Sequence, residues 1–372
     1  GRKERQRCSP TLYFTGIKGK GGEHMARKTF KKIITSEELI SQINPENKKI
    51  ADRFLKNFAT KRSETSVKVY KSNFNIFFCW NLQYNDNKFF TDIRKSEMMD
   101  FFDYGSSELQ WSPNRYANVW SSLNSLSTFI ENVLDDDYPD FRNQVRKIEK
   151  QPKATVRKKT VLTDVQVHNL LNHLSETNTQ QACLLALACY SGARISELFR
   201  FTTDLIDLNN LAYEDLFLET TDEIKTKGRG RLGKVLYKYI LKAPFEPYYV
   251  KWIEEREAIM KELGVSHDYL FIRKDGQPAT PDTARVWIKQ WEKYLTDEEP
   301  SNKRHDPVDL YAHAFRHYLC TYLAKIGLEQ ELVVEIFGWS SFDMFNIYND
   351  MTAKDKKWKG LEKLKKAIEK QG

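Results

Sequence analysis

The chain has 372 residues, of which 40% are hydrophobic, 13% aromatic and 30% charged, a soluble globular composition and a length that predicts two domains with tails. The net charge is +8, but residues 1–34 hold ten Lys/Arg against two Asp/Glu and the rest carries 49 of each sign, which excludes a uniformly basic body. No apolar run approaches the roughly 18 residues of a membrane span, no secretory leader is evident, and Cys8, Cys79, Cys183, Cys189 and Cys320 lack metal-ligand spacing. A cytoplasmic protein with reduced thiols is expected.

In chain order, residues 1–34 form a basic tail, and because Met25 offers a start inside it, Gly1 to His24 carry no functional expectation. From Ser36 to about Leu134 the pattern is helical, with apolar residues at spacings of three and four, as in Val67, Tyr70, Phe74, Phe77 and Phe78, separated by short polar joints. Residues 35–145 are therefore expected to be a compact helical domain. Arg142 to Lys159 then holds eight basic residues (Arg142, Arg146, Lys147, Lys150, Lys153, Arg157, Lys158 and Lys159) against the single acid Glu149. This basic linker, 146–160 with its approach, is either a track for a phosphate backbone or a solvated connector.

Helix restarts at VLTDVQVHNLLNHL with Thr163 and Gln166 in capping-box positions, followed by an all-apolar helix that breaks at Ser191-Gly192. LAYEDLFLE and VLYKYIL read as strands around the glycine-rich basic turn KTKGRGRLGK, so a small sheet or hairpin is expected. Helices follow at EPYYVKWIEEREAIMKEL, at TPDTARVWIKQWEKYL and from Tyr311 onward. The fold class is mainly α with a small β-sheet, with a second domain at 161–352. Residues 353–372 form an amphipathic helix with Trp358, Leu361, Leu364 and Ile368 on one face, suited to packing on its own domain or docking on a neighbour.

Four features of the second domain suit attack on a phosphodiester. A tyrosine hydroxyl is a weak nucleophile that needs neighbours to manage charge and protons, and a pentavalent phosphorus places negative charge where bidentate guanidinium groups fit it. Arg194 follows a glycine that can turn the chain from a buried helix into a cleft, although with Glu197 it also reads as a helix-start ion pair. His313 and Arg316, three apart, share a helical face. That pair alone is weak, since His24 and Arg27 repeat it in the tail; a metal set of His313, His317 and Cys320 lacks a fourth ligand. Trp339 lies 23 residues after Arg316 and Tyr348 nine after Trp339. Ser340 and Asp343 stand in a capping-box relation that would start the helix carrying Tyr348.

Through ARISEL, HAFRH, FGWSSFDMFNIY and their spacing, the sequence resembles the tyrosine recombinase (phage integrase) family over nearly its whole length. The resemblance implies an N-terminal helical core-binding domain and an α+β catalytic domain that form a clamp around DNA. It implies a site-specific recombinase that cleaves and rejoins double-stranded DNA through a 3′-phosphotyrosyl intermediate, with neither metal nor other cofactor, for integration or excision of a mobile element or phage. Arg194 and Arg316 would clamp the scissile phosphate, His313 would hydrogen-bond it and assist proton transfer, Trp339 would donate its indole N–H or floor the cleft, and Tyr348 would attack. Lys227 would be the general acid, with Lys225 the alternative. A homotetramer on DNA and an accessory directionality factor are the implied partners. A type IB topoisomerase, a telomere-resolving enzyme and a non-catalytic DNA-binding protein of the same fold are the competing readings. Ala314, where the family often has Asp, and the long polar stretch TDEEPSNKRHDP depart from the pattern.

Overall fold

The computed structural model describes residues 34–151, 160–226, 233–295 and 309–352, and part of 355–369. The chain divides into two compact units, Gly1–Phe54 with Tyr70–Pro152, and Leu55–Val69 with Lys153–Gly372.

Five helices make up the N-terminal half: α1 (Glu37–Gln42), α2 (Pro45–Ala59), α3 (Glu64–Tyr84), α4 (Lys95–Ser107) and α5 (Pro113–Val133). Their starts are written in the sequence. Ser36 accepts a hydrogen bond from the Leu39 amide, and Ser112, followed by Pro113, accepts one from Arg115. The apolar spacing brings Phe74, Phe77, Phe78, Phe90, Phe101 and Phe102 inside, all at 2% exposure or less. Phe77 meets the rings of Phe78, Trp80, Phe90 and Phe101 at centroid separations of 4.8–6.2 Å. Edge-to-face geometry dominates these contacts, which adds to the burial of each ring.

The second unit begins with α6 (Asp164–Thr177), whose Thr163 and Gln166 form the expected reciprocal capping box. Next, α7 (Thr179–Ser191) is buried continuously from Ala182 to Ser191 and packs against α6 and two later helices, α9 (Lys242–Leu263) and α11 (Ala312–Ile326). A helix enclosed on all sides has no polar face to keep, which is why its sequence shows almost no periodicity. Between α7 and α9 lie α8 (Ile195–Leu198), β1 (Leu211–Ala212), β2 (Phe217–Glu219), β3 (Ile224–Thr226), β4 (Lys234–Leu236) and β5 (Tyr239–Leu241). Strands β1, β2 and β5 form an antiparallel sheet in the order β1-β2-β5, and β3 and β4 form a separate antiparallel hairpin with Ile224 opposite Leu236. After α10 (Pro281–Trp291), the chain ends its described core with α11, α12 (Gln330–Ile336) and α13 (Asp343–Tyr348).

One expectation is corrected. The start of α13 is not a Ser340–Asp343 capping box: Ser341 supplies the hydroxyl, accepting from the Asp343 amide at 3.1 Å, so the turn is one residue tighter. In the C-terminal stretch, Trp358 and Leu361 are exposed at 58% and 48%, while Leu364 and Ile368 lie outside the described residues. Among the described residues no helix is long and apolar enough to cross a membrane.

Candidate active site

The site is assembled where α7 ends. Gly192 closes that helix at φ +58°, and a Cβ there would stand 2.5 Å from the Phe337 ring, so both the turn and the close approach require glycine. The reversal frees the Gly192 carbonyl to accept a hydrogen bond from Arg316 Nη1 and places Arg194 at the start of α8. Gly338, at φ +62°, plays the matching part at the end of α12: a Cβ would stand 2.5 Å from Leu236 of the hairpin. That turn delivers Trp339.

Arg194 is joined to Glu197 by a 2.9 Å ion pair and by its own amide, which donates to the carboxylate at 3.0 Å. The helix-start pair expected of these residues is therefore present, but it is not a surface pair. Glu197 is fully buried, and its other oxygen pairs at 2.9 Å with Lys238, itself 3% exposed. Burial alone would push the Glu197 carboxyl up, but Lys238 and Arg194 outweigh it and hold it down to about 2. Burial pulls the Lys238 ammonium down against the opposing pull of Glu197. Arg316 is 1% exposed, and its burial together with the charge of Arg194 brings it down to about 10, still charged at neutral pH. Two cations, Lys238 and the partly exposed Arg194, thus pair with one fully buried carboxylate, and Arg316 feels its charge.

Arg316 also lies along an aromatic wall. Its guanidinium carbon is 4.8, 5.2 and 5.3 Å from the ring centroids of Phe337, Trp339 and Tyr348. Those rings stack in turn, Phe337 on Trp339 at 4.4 Å and Trp339 on Tyr348 at 5.3 Å. The His313 ring is 6.4 Å from that of Tyr348. Within this wall three buried donors, Arg316 Nε, Arg316 Nη2 and Trp339 Nε1, have no hydrogen-bond partner among the described residues. Leaving a buried donor unsatisfied costs roughly 1–3 kcal/mol, more when it is charged, so this cluster is expensive to the fold unless an acceptor enters it. The donor set, two guanidinium N–H groups and an indole N–H, matches oxygens carrying negative charge.

Of the residues singled out in the sequence, Arg194, His313, Arg316, Trp339 and Tyr348 are thus gathered into one neighbourhood. Lys227 lies outside the described residues, and Lys225, on β3, is exposed with its carbonyl bound by Arg200. Of the metal set weighed and set aside in the sequence, His317 Nδ1 is engaged by Asp350 at 2.7 Å and burial pushes the Cys320 thiol up to about 12. In the basic linker, Arg146 pairs with Glu131, Arg142 donates to the carbonyls of Pro139 and Phe141, Lys147 reaches Gln144, and Lys150 lies 3.9 Å over the Trp120 ring. Lys153, Arg157, Lys158 and Lys159 fall outside the described residues.

Glu197 and Lys238 were missed as site residues. Lys238 lies in the two-residue link between β4 and β5, which belong to different sheets, and is buried while Val235 and Tyr237 are exposed at 50% and 45%, so no local pattern marked it.

Residues 160–355 match the phage integrase family. A tyrosine recombinase from Thermosipho africanus is 22% identical over 299 residues, covering 80% of this chain and 92% of that protein. Transposase B from transposon Tn554 of Staphylococcus aureus is 24% identical over 268 residues, 69% of this chain but only 39% of the transposase. Among solved structures, the Tn1549 transposon integrase in complex with a circular intermediate DNA superposes with a TM-score of 0.60 at 17% identity, over 85% of this chain and 99% of that one. A lambda integrase tetramer bound to a Holliday junction gives 0.58 at 12% identity, over 82% and 77%.

Proposed function

The chain belongs to the phage integrase family, and from that premise we propose that it is a tyrosine recombinase that breaks and rejoins double-stranded DNA, with Tyr348 as nucleophile, in the integration or excision of a mobile element. The observation that carries the reading is the trio of buried donors, Arg316 Nε, Arg316 Nη2 and Trp339 Nε1, that find no acceptor among the described residues and lie beside the Tyr348 ring. A non-bridging phosphate oxygen is the acceptor that satisfies them. Their desolvated setting makes them most effective as charge builds on the pentavalent phosphorus.

In the proposed reaction the Tyr348 oxygen attacks phosphorus as its proton leaves, a Tyr–O–P bond forms, and the P–O5′ bond breaks. The departing 5′-oxygen takes up a proton to become a free hydroxyl. Arg194 and Arg316 hold the non-bridging oxygens, His313 assists proton transfer, Trp339 donates its N–H, and Lys227 protonates the leaving oxygen. The link retains the energy of the phosphodiester, so the reverse attack by a 5′-hydroxyl rejoins DNA without an external energy source.

Residues 35–145 are read as the core-binding domain, and the linker lysines and arginines as contacts to the DNA backbone. Exposure of Trp358 and Leu361 supports a docking role for the C-terminal segment between protomers of a DNA-bound homotetramer. An accessory directionality factor would then choose between integration and excision.

A nicked suicide substrate, which traps the covalent product, tests the chemistry. The wild-type protein is expected to accumulate a protein–DNA adduct, and Tyr348→Phe to bind the same DNA without forming it. An adduct that survives this substitution removes Tyr348 from the role.

A further inference from the structure

The nucleophile candidate sits at the end of a helix that has little means of holding itself in place. Six residues are too few for intrinsic helical stability, so α13 depends on its packing against α11 and α12, with Met344 and Phe345 against the core and Ile347 half exposed. What fixes residues 348–350 is a column of side chains on α11. His313, His317 and Thr321 succeed one another at intervals of four, the spacing that stacks them along one helical face. The His317 imidazole lies 4.6 Å, centroid to centroid, from the Tyr348 ring, and its Nδ1 is 2.7 Å from an Asp350 carboxylate oxygen. Thr321 Oγ1 accepts from the Asp350 amide at 2.9 Å and reaches the Tyr348 carbonyl at 3.4 Å. The histidine and the aspartate are each about nine-tenths buried.

We propose that His317 and Asp350 form a latch that holds the Tyr348 segment in register against the helix bearing His313 and Arg316, which makes both of them positioning residues for strand cleavage. The inference rests on Tyr348 being the nucleophile. An ordinary buried histidine would be satisfied by any nearby carbonyl. Here the partner is a carboxylate two residues beyond the tyrosine, so the hydrogen bond constrains the backbone that aims the hydroxyl. The imidazole face simultaneously limits the swing of the phenol ring. Neither group touches the scissile phosphate in this account; each acts through the placement of Tyr348.

The test uses the full chain on the nicked suicide substrate and on the same DNA with sulfur in place of the bridging 5′-oxygen, a leaving group that needs no protonation. His317→Leu and Asp350→Ala are each expected to slow adduct formation on the order of 10- to 100-fold, the cost of a nucleophile displaced by about an ångström, with DNA affinity by gel shift unchanged. The double variant should be no slower than the slower single one, because both changes open the same latch. The slowing should persist on the sulfur substrate. His317→Asn, which keeps a donor near Nδ1, should regain most of the rate lost in the leucine variant and guards against a simple folding defect.

Wild-type rates in Asp350→Ala, multiplicative losses in the double variant, or an asparagine variant as slow as the leucine one would each overturn the latch. So would full recovery on the sulfur substrate, which would make His317 part of leaving-group protonation. Tyr348→Phe run alongside separates the two readings: an adduct in that variant defeats the nucleophile assignment, whereas its loss with Asp350→Ala unaffected defeats the latch alone.

Discussion

Phe77 of the N-terminal helices and Arg316 of α11 are equally hidden, at 0% and 1% exposure, yet they meet their surroundings in opposite ways. Phe77 is ringed by four aromatic partners and leaves nothing unsatisfied. Arg316 is ringed by Phe337, Trp339 and Tyr348, bonds one carbonyl, and keeps two donors without acceptors among the described residues. The first arrangement is what a core does for stability. The second is tolerated by a fold that must present charge to something arriving from outside. The same contrast separates the aromatic interior of α3 to α5 from the Glu197–Lys238–Arg194 cluster, where three charged groups share a space from which water is largely removed.

Substitution should therefore split stability from chemistry differently in the two places. The largest effect is expected at Arg316→Met: adduct formation should fall by roughly 10³-fold or more, as for removal of several preorganised donors, while the melting temperature stays level or rises because a poorly satisfied buried charge is gone. A matching loss of stability would erase the contrast. Phe77→Ala should do the reverse, costing about 3–5 kcal/mol in urea unfolding, with the cleavage rate per folded molecule unchanged. Trp339→Phe sharpens the point, since it keeps the stack and removes only the N–H. A drop in adduct rate on the order of 10²-fold with an unaltered unfolding midpoint is expected, and an unaltered rate would assign Trp339 to packing alone.

The smallest effect is in the wild-type protein and is confined to acid. Lys238 and Arg194 hold the Glu197 carboxyl at about 2 against its ordinary 4.5, a depressed value in the folded state. The stability that this contributes is fully present above pH 4.5 and is lost as pH falls toward 2. Urea midpoints measured from pH 7 down to 3 should show that acid limb, and Glu197→Gln should flatten it while lowering the plateau, because Lys238 then stands buried without its carboxylate.

What could be read in the sequence followed from periodicity and order. The α3 stripe of Phe74, Phe77 and Phe78 predicted its own buried face, and the Thr163–Gln166 pair its capping box. The grouping of Arg194, His313, Arg316, Trp339 and Tyr348 was anticipated through the family resemblance that their order and spacing carry. The partners of those residues were not. The partner of Glu197 lies 41 residues further on, where the link between β4 and β5 brings Lys238 to it. His317 was weighed only as a metal ligand, because its true partner, Asp350, lies 33 residues away on another element. Long-range pairing of charges is fixed by topology, and local pattern carries little of it.

The most direct test of the whole account is to map the point of attachment in the covalent product by digesting the trapped adduct with protease and sequencing the DNA-linked peptide by mass spectrometry. A single peptide spanning Phe342 to Met351, joined through Tyr348 to the 3′-phosphate end of the broken strand, is the result predicted. Linkage through any other side chain, or to a 5′ end, would contradict it.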